Sequence, residues 1–275
     1  MLSLFILAAV SAALCYGVGD FIGGKASAKI PLVQVLVIGE VVGACMFGLL
    51  AWLNHEATMP FNLVGIAVCA GIAGAFGLAA LYHGISQGYT AITAPVSAVI
   101  SAIIPILYGM YISGLPSTLT LCGMLLGIIA IVLNSIAGRT SGYHGLWQGL
   151  SAGIAIGIFL ILLKFIGSAG IYTPLAIARA GSLIITIPWL LFRPGSKPSG
   201  TGVALAIVAG TFDLIANAAY MISTQLGRLD IASMLASLYP AVTVILAFFL
   251  NGEKLSPLQR WGLVTTIIAS ALIAF

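Results

Sequence analysis

The sequence predicts an all-α integral membrane protein with ten transmembrane helices arranged as an inverted five-plus-five repeat. Three observations carry that expectation. Of 275 residues, 61% are apolar and 6% are charged, with a mean hydropathy of +1.20. A soluble domain carries about 25% charged residues because its surface must face water. Ten Lys and Arg with six Asp and Glu cannot cover such a surface, so a soluble enzyme and a disordered chain are excluded. The net charge of +4 is scattered, with no basic cluster to track phosphates, so no nucleic-acid partner is expected. The second observation is length: at about 20 residues per span, the chain holds about ten spans with short loops.

The third is an internal repeat. A shift of 139 residues places Gly71 on Gly210, Gly88 on Gly227, Ser117 on Ser256 and Gly123 on Gly262. It also sets Ile128-Ile129-Ala130 on Ile267-Ile268-Ala269. Five helices per half is an odd number, so the second half enters the membrane upside down. Inverted repeats around a midplane cavity are the architecture of alternating-access carriers. The two repeats are read as residues 1–138 and 139–275.

Loop signals bound the ten helices near 3–25, 31–53, 62–86, 91–111, 117–137, 145–166, 171–192, 202–225, 230–250 and 256–274. The clearest breaks are 54–60, 138–143 and 193–200. The first run has no Lys or Arg before it, and Leu14 precedes Cys15 where a lipobox needs a small residue. It is therefore expected to stay in place rather than be cleaved. The fourth helix carries Pro95 and Pro105, the seventh Pro188 and the ninth Pro240, each freeing backbone carbonyls. The sixth has a glycine ridge at Gly145, Gly149, Gly153 and Gly157, which permits close helix packing; Gly19/Gly23 and Gly123/Gly127 repeat the spacing. Trp52, Trp147, Trp189 and Trp261 sit at helix ends, as an aromatic belt requires. Cys15, Cys45, Cys69 and Cys122 lie in apolar runs without CxxC spacing and are expected to pack as small hydrophobes.

Several segments carry a resemblance. These are Tyr16 to Gly24 (YGVGDFIGG), Ala94 to Ala98 (APVSA), Ala178-Arg179, Ala236 to Thr243 (ASLYPAVT) and the turn Gly252 to Ser256 (GEKLS). Together they resemble the drug/metabolite transporter superfamily, EamA type, over nearly the whole chain. The resemblance implies a five-plus-five helix carrier, commonly an exporter of amino acids, related metabolites or toxic compounds. Many relatives carry Gly-Glu in both half-repeats; here Ser113-Gly114 stands in the first.

Five ionisable residues fall within the predicted spans: Asp20, Glu40, Lys164, Arg179 and Asp213. Each costs about 2.5–3.5 kcal/mol at mid-helix, so they must meet partners, water or a solute. Asp213, Asn217, Tyr220 and Thr224 recur at i, i+4, i+7 and i+11, one polar stripe on the eighth helix. That stripe lines either a cavity or a buried hydrogen-bond seam. Arg179 suits either a solute carboxylate or a pairing with Asp213 or Glu40. Lys164 is expected to snorkel to the interface. Ser237, Tyr239 and Pro240 form a polar break in the ninth helix, and Tyr16 and Tyr82 complete the candidate solute-binding set. Asp213, Asp20, Glu40 and His83 are the candidates for proton or ion coupling.

The leading reading is a secondary-active or facilitative transporter exporting small amphipathic metabolites by alternating access. A proton-coupled antiporter of cationic drugs is the nearest alternative. From a different class come an intramembrane serine hydrolase using Ser151 and His83, and a non-transporting scaffold. Gly149-Leu-Ser151-Ala-Gly153 matches GxSxG, but lacks the strand-to-helix turn of a nucleophile elbow. Gly19 to Ala26 approaches a P-loop, yet Ala26 replaces the magnesium-binding Ser/Thr. No metal-ligand spacing appears, so no catalytic residue, metal or cofactor is expected. The partners are a small solute, the bilayer and protons, in a monomer or homodimer of the plasma (inner) membrane. Odd-numbered loops hold Lys25, Lys29, Arg139, Arg193, Lys197, Lys254 and Arg260, whereas even-numbered ones hold Lys164 and Arg228. The positive-inside rule thus places both termini outside the cytoplasm.

Overall fold

The computed structural model describes residues 2–135, 144–192, 195 and 197–274. The repeat boundary at 138/139, and Arg139 and Arg193 of the charge count, lie outside the described residues. All regular structure among them is helical: α1 (Leu2–Ser27), α2 (Leu32–Leu53), α3 (Phe61–Ser86), α4 (Thr90–Ser113), α5 (Thr118–Ser135), α6 (Leu146–Ile166), α7 (Tyr172–Phe192), α8 (Gly200–Leu226), α9 (Leu229–Ala236), α10 (Tyr239–Asn251) and α11 (Pro257–Ala274). Where no water reaches the backbone, only such self-satisfied segments are stable.

Nine stretches among the described residues are long and apolar enough to cross a membrane, with α9 and α10 together counting as one, Leu229–Asn251. The expected ninth helix is thus interrupted, at Ser237-Leu238, and Pro240 occupies the first turn of α10, where its missing N–H costs nothing. The tenth, α11, begins Pro257-Leu-Gln259-Arg260, a polar first turn that lowers its mean hydropathy. Serines stand ahead of both α5 and α11. The Thr120 amide donates to Ser117 Oγ at 3.2 Å ahead of α5. Ahead of α11, Gln259 N donates to Ser256 Oγ at 3.2 Å while Ser256 N donates to Gln259 Oε1 at 3.0 Å, a capping box.

Glycines set the helix contacts. Antiparallel α1 and α8 meet from Phe5 at Gly227 to Gly23 at Ala209. Antiparallel α3 and α6 meet from Gly74 at Phe159 to Gly84 at Gln148. The α6 ridge rides on α4 in parallel, Gly149 on Val96, Gly153 on Ile100 and Gly157 on Ile104. A Cβ on Gly71 would overlap the Ala178 carbonyl oxygen, so α3 and α7 touch backbone to backbone. α5 and α11 form an outer antiparallel pair, Gly123 against Ile273 and Gly262 against Asn134.

The expectation for the cysteines is corrected. Cys45, Cys69 and Cys122 are exposed, and Cys15 is half-buried. In lipid a small apolar side chain gains little by facing inward, so hydrophobicity alone does not place it. Trp52, Trp147 and Trp261 are exposed at helix ends.

Candidate functional site

The helices enclose a cavity of about 420 Å³. Its wall takes residues from both halves: Tyr16 and Asp20 on α1, Glu40 on α2, Tyr82 on α3, Ser97 and Ser101 on α4, Arg179 and Ser182 on α7, Asp213 and Asn217 on α8, and Ser237, Tyr239 and Thr243 around the α9–α10 break. Leu78, Leu81, Ile85, Ile156 and Phe159 supply an apolar side. α11 contributes nothing to the wall, and α5 only Asn134 and Ser135 at its last turn. α2 reaches the wall through Leu32 and Glu40, and α7 through Leu175, Ala178, Arg179 and Ser182.

The cavity extends from mid-helix toward the end of the bundle that carries the α1–α2 and α3–α4 turns, where Ser27, Leu32 and Ile85 line it. The opposite end is packed. Leu163, Ile166, Leu175, Tyr220, Met221 and Leu229 are fully buried there. Three polar ties cross that end. The Arg228 guanidinium donates to Asp230 Oδ2 at 2.7 Å and Oδ1 at 3.1 Å, and to the Ser113 and Gly114 carbonyls that end α4. This pairing raises the Arg228 pKa, the Asp230 hydrogen bonds being the larger cause. Lys164 Nζ donates to the Thr224 carbonyl, and Gln225 returns a bond to the Lys164 carbonyl at 2.8 Å. Glu56, in the α2–α3 loop, accepts from the amides of Ile171 at 2.6 Å and Tyr172 at 3.2 Å, and from Thr173. Partial burial pushes its carboxyl up, but these amide bonds at the start of α7 outweigh it and hold it below the usual range.

Within the cavity the charges are unequally served. Arg179 Nη1 donates to Glu40 Oε2 at 3.1 Å, and Nη2 pairs with Asp213 Oδ2. Its stem packs against Gly43, where a Cβ would sit 3.1 Å from Arg179 Cγ. Asn217 Nδ2 donates to the Asp213 carbonyl at 2.7 Å and to its Oδ2 at 3.1 Å, while Tyr16 Oη donates to Asn217 Oδ1 at 3.0 Å. Asp213 therefore has two donors and Glu40 has one. Asp20 has none: among the described residues no donor or cation reaches its carboxylate. Lys25, five residues on, lies instead over the Phe21 ring at 4.5 Å.

Of the candidate solute-binding residues, Asp213, Asn217, Arg179, Tyr82, Ser237, Tyr239 and Tyr16 line the cavity. Tyr220 does not. It is fully buried below the cavity floor, bonded to Ser233 Oγ at 2.8 Å and donating to the Leu160 carbonyl at 3.3 Å. Of the coupling candidates, Asp20, Glu40 and Asp213 line the cavity, whereas His83 is exposed in the last turn of α3. Lys164 is not free at an interface; it closes the C-terminal end of α8. Ser151 donates to the Gln148 carbonyl at 3.1 Å and opens on an outer groove with Cys69, Phe76 and Ile158, away from His83. Glu56 and Asp230 escaped the sequence reading, the first because it lies in a loop, the second because Arg228 stands two residues away in a short turn. The helix-start position of Asp230 was the available signal.

Residues 144–275 match the EamA-like transporter family, which bears out the resemblance read from the sequence. No curated protein matches the chain. Among solved structures 29 chains match. One, described only as the crystal structure of a protein, superposes with a TM-score of 0.80 at 15% identity, over 98% of this chain and 96% of that one. At that identity the likeness speaks for the fold. The chain is a multi-pass membrane protein whose residues 144–275 match the EamA-like transporter family.

Proposed function

We propose that this chain, an EamA-like transporter over its second half, is a secondary carrier that exports small solutes by alternating access. The observation that carries the reading is the cavity. It is sealed at one end, reaches toward the other, and is walled by charged residues from both halves.

The reading includes a ten-helix inverted repeat, joined near residues 138 and 139, and the glycine contacts support it. Under the 139-residue shift, Gly71 against Ala178 becomes Gly210 against Gly39, and Gly123 against Ile273 becomes Gly262 against Asn134. Both members of each pair of contacts occur. Helix direction supports inversion: α6 runs antiparallel to α3, and hence to α1. A two-fold axis in the membrane plane relates halves in this way, and exchanging their conformations gives the opposite-facing state. The positive-inside count puts the open end in the cytoplasm of a plasma (inner) membrane, where a solute for export would load.

Counterflow into proteoliposomes tests the carrier reading. Purified protein loaded with a metabolite mixture should accelerate uptake of at least one labelled amino acid, nucleoside or amine. Liposomes whose flux never exceeds that of protein-free controls would return the chain to the scaffold reading. Hydrolysis of a membrane peptide that disappears with Ser151→Ala would favour the enzyme.

A further inference from the structure

Three carboxylates line the cavity, Asp20, Glu40 and Asp213, against one guanidinium, Arg179. With all four ionised the wall carries an excess of two negative charges. Arg179 already holds two of the carboxylates, so a solute anion finds no free cation among the described lining residues. A neutral solute leaves Asp20, once water is displaced, either charged and uncompensated or obliged to bind a proton, and both cost free energy relative to the ionised acid in water. A cation removes that cost.

The surroundings of Asp20 suit one kind of cation. It lines the same cavity as Tyr16, Tyr82 and Tyr239. Tyr16 and Tyr239 form a corner, their ring centroids 6.1 Å apart and their planes at 59°. Neither Tyr82 nor Tyr239 has a hydrogen-bond partner for its hydroxyl among the described residues, so both rings are held by packing alone. Aromatic faces within about 6 Å attract alkylated ammonium groups, whose charge is diffuse and weakly hydrated. A small inorganic cation would instead seek several oxygen ligands, and no cluster of metal ligands occurs among the described residues. The apolar side at Leu78, Leu81 and Phe159 accepts the rest of an amphipathic molecule.

Building on the carrier reading, we infer that the cavity recognises an organic ammonium ion, with Asp20 as its counter-charge and Tyr16, Tyr82 and Tyr239 as its aromatic walls. Asp20, not Asp213, is then the acid that reads the solute. Asp213 and Glu40 hold Arg179 elsewhere on the same cavity wall.

Calorimetric titration of the detergent-purified protein tests this without requiring transport. Three probes of one shape suffice: choline, a cation; betaine, a zwitterion; and dimethylbutanol, the neutral carbon isostere of choline. The expected order is choline first, at least tenfold ahead of the other two, a gap of about 1.4 kcal/mol or more. Asp20→Asn should bring choline down to the level of dimethylbutanol, while Glu253→Gln, an acid on an exposed turn, leaves it unchanged. Betaine or dimethylbutanol binding as well as choline would overturn the inference even if Asp20→Asn fails to fold. So would undiminished choline binding by a folded Asp20→Asn protein. Counterflow separates the two readings: flux of some other solute with no choline binding overturns the ammonium inference alone, whereas absence of all flux removes the carrier reading.

Discussion

Glu40 and Arg179 stand 139 residues apart, at equivalent positions of the two half-sequences, and are bonded to each other at 3.1 Å. Two positions exchanged by a two-fold rotation meet only beside its axis, so this pair marks the axis of the proposed repeat. On the repeat reading the halves share one plan there and differ in charge. Asp213 breaks the plan, because its equivalent in the first half is Gly74, and it supplies the second carboxylate that Arg179 holds.

The triad predicts an order of stability. Arg179→Gln strands the buried Glu40 and leaves Asp213, which is open to the cavity, without its cation. It should destabilise the bundle by about 3 kcal/mol, the lower end of the usual cost of breaking a buried pair from one side. Neutralising the partners as well, with Glu40→Gln and Asp213→Asn, should recover most of that loss. Asp213→Asn alone keeps the Asn217 contact and should fold. Thermal melting in detergent measures all four proteins; an Arg179→Gln protein as stable as the parent would remove the triad from the account of the fold.

Two glycine classes should respond oppositely to alanine. Gly71→Ala drives a methyl into the Ala178 carbonyl and the Ser182 amide, forcing α3 and α7 apart at a cost of about 1–3 kcal/mol. Gly65 has nothing within 4 Å of a Cβ, so Gly65→Ala should be neutral or stabilising by up to about 1 kcal/mol. Equal effects at the two sites in the same melting assay would contradict the backbone contact.

Glu56 gives a pH signature. Its carboxyl is held below the usual range in the folded protein, so its contribution is complete above the ordinary carboxylate pKa. It disappears as pH falls through the lowered folded value. Glu56→Gln should therefore cost about 1 kcal/mol near neutral pH, the worth of a helix-cap contact, and almost nothing in strong acid. A melting difference that stays constant from pH 7 down to pH 3 would show that the charge is irrelevant to the tie.

The packed end should loosen when Arg228 is removed. In a protein whose four cysteines are replaced, Ser233→Cys puts a thiol at a fully buried position beside Tyr220. A water-soluble thiol reagent should leave it unmodified, and should modify it several-fold faster after Arg228→Met. No gain in rate would mean that the apolar packing alone seals this end.

The helices were legible because long apolar runs permit little else, and the break in the ninth was legible because Ser237, Tyr239 and Pro240 crowd one turn. The site was legible by side of helix but not by depth. Asp213 and Tyr220 share one stripe, yet seven residues of helix separate them by about 10 Å along the axis. The cavity ends between them. Asp213 and Glu40 were legible as partners for Arg179, but how one guanidinium is shared among three acids was not: only the packing of α2, α7 and α8 shows that it holds both and that Asp20 is the acid left over. Glu56 meets α7 from a loop 115 residues earlier, a contact with no local pattern.

The Arg228 tie has no chemical twin at the open end. The 139-residue shift sets Tyr89 and Ala91 where Arg228 and Asp230 stand, and Gly252 and Glu253 where Ser113 and Gly114 stand. An ion pair reinforced by carbonyls thus closes one end, while its counterpart offers a tyrosine and a glycine turn. On the carrier reading the two facing conformations are then wells of unequal depth. The empty protein rests in the deeper one, and a solute drives the cycle only to the extent that it binds the shallower state more tightly. Such a molecule resets itself after each release, its unloaded return running downhill toward the side from which it loads.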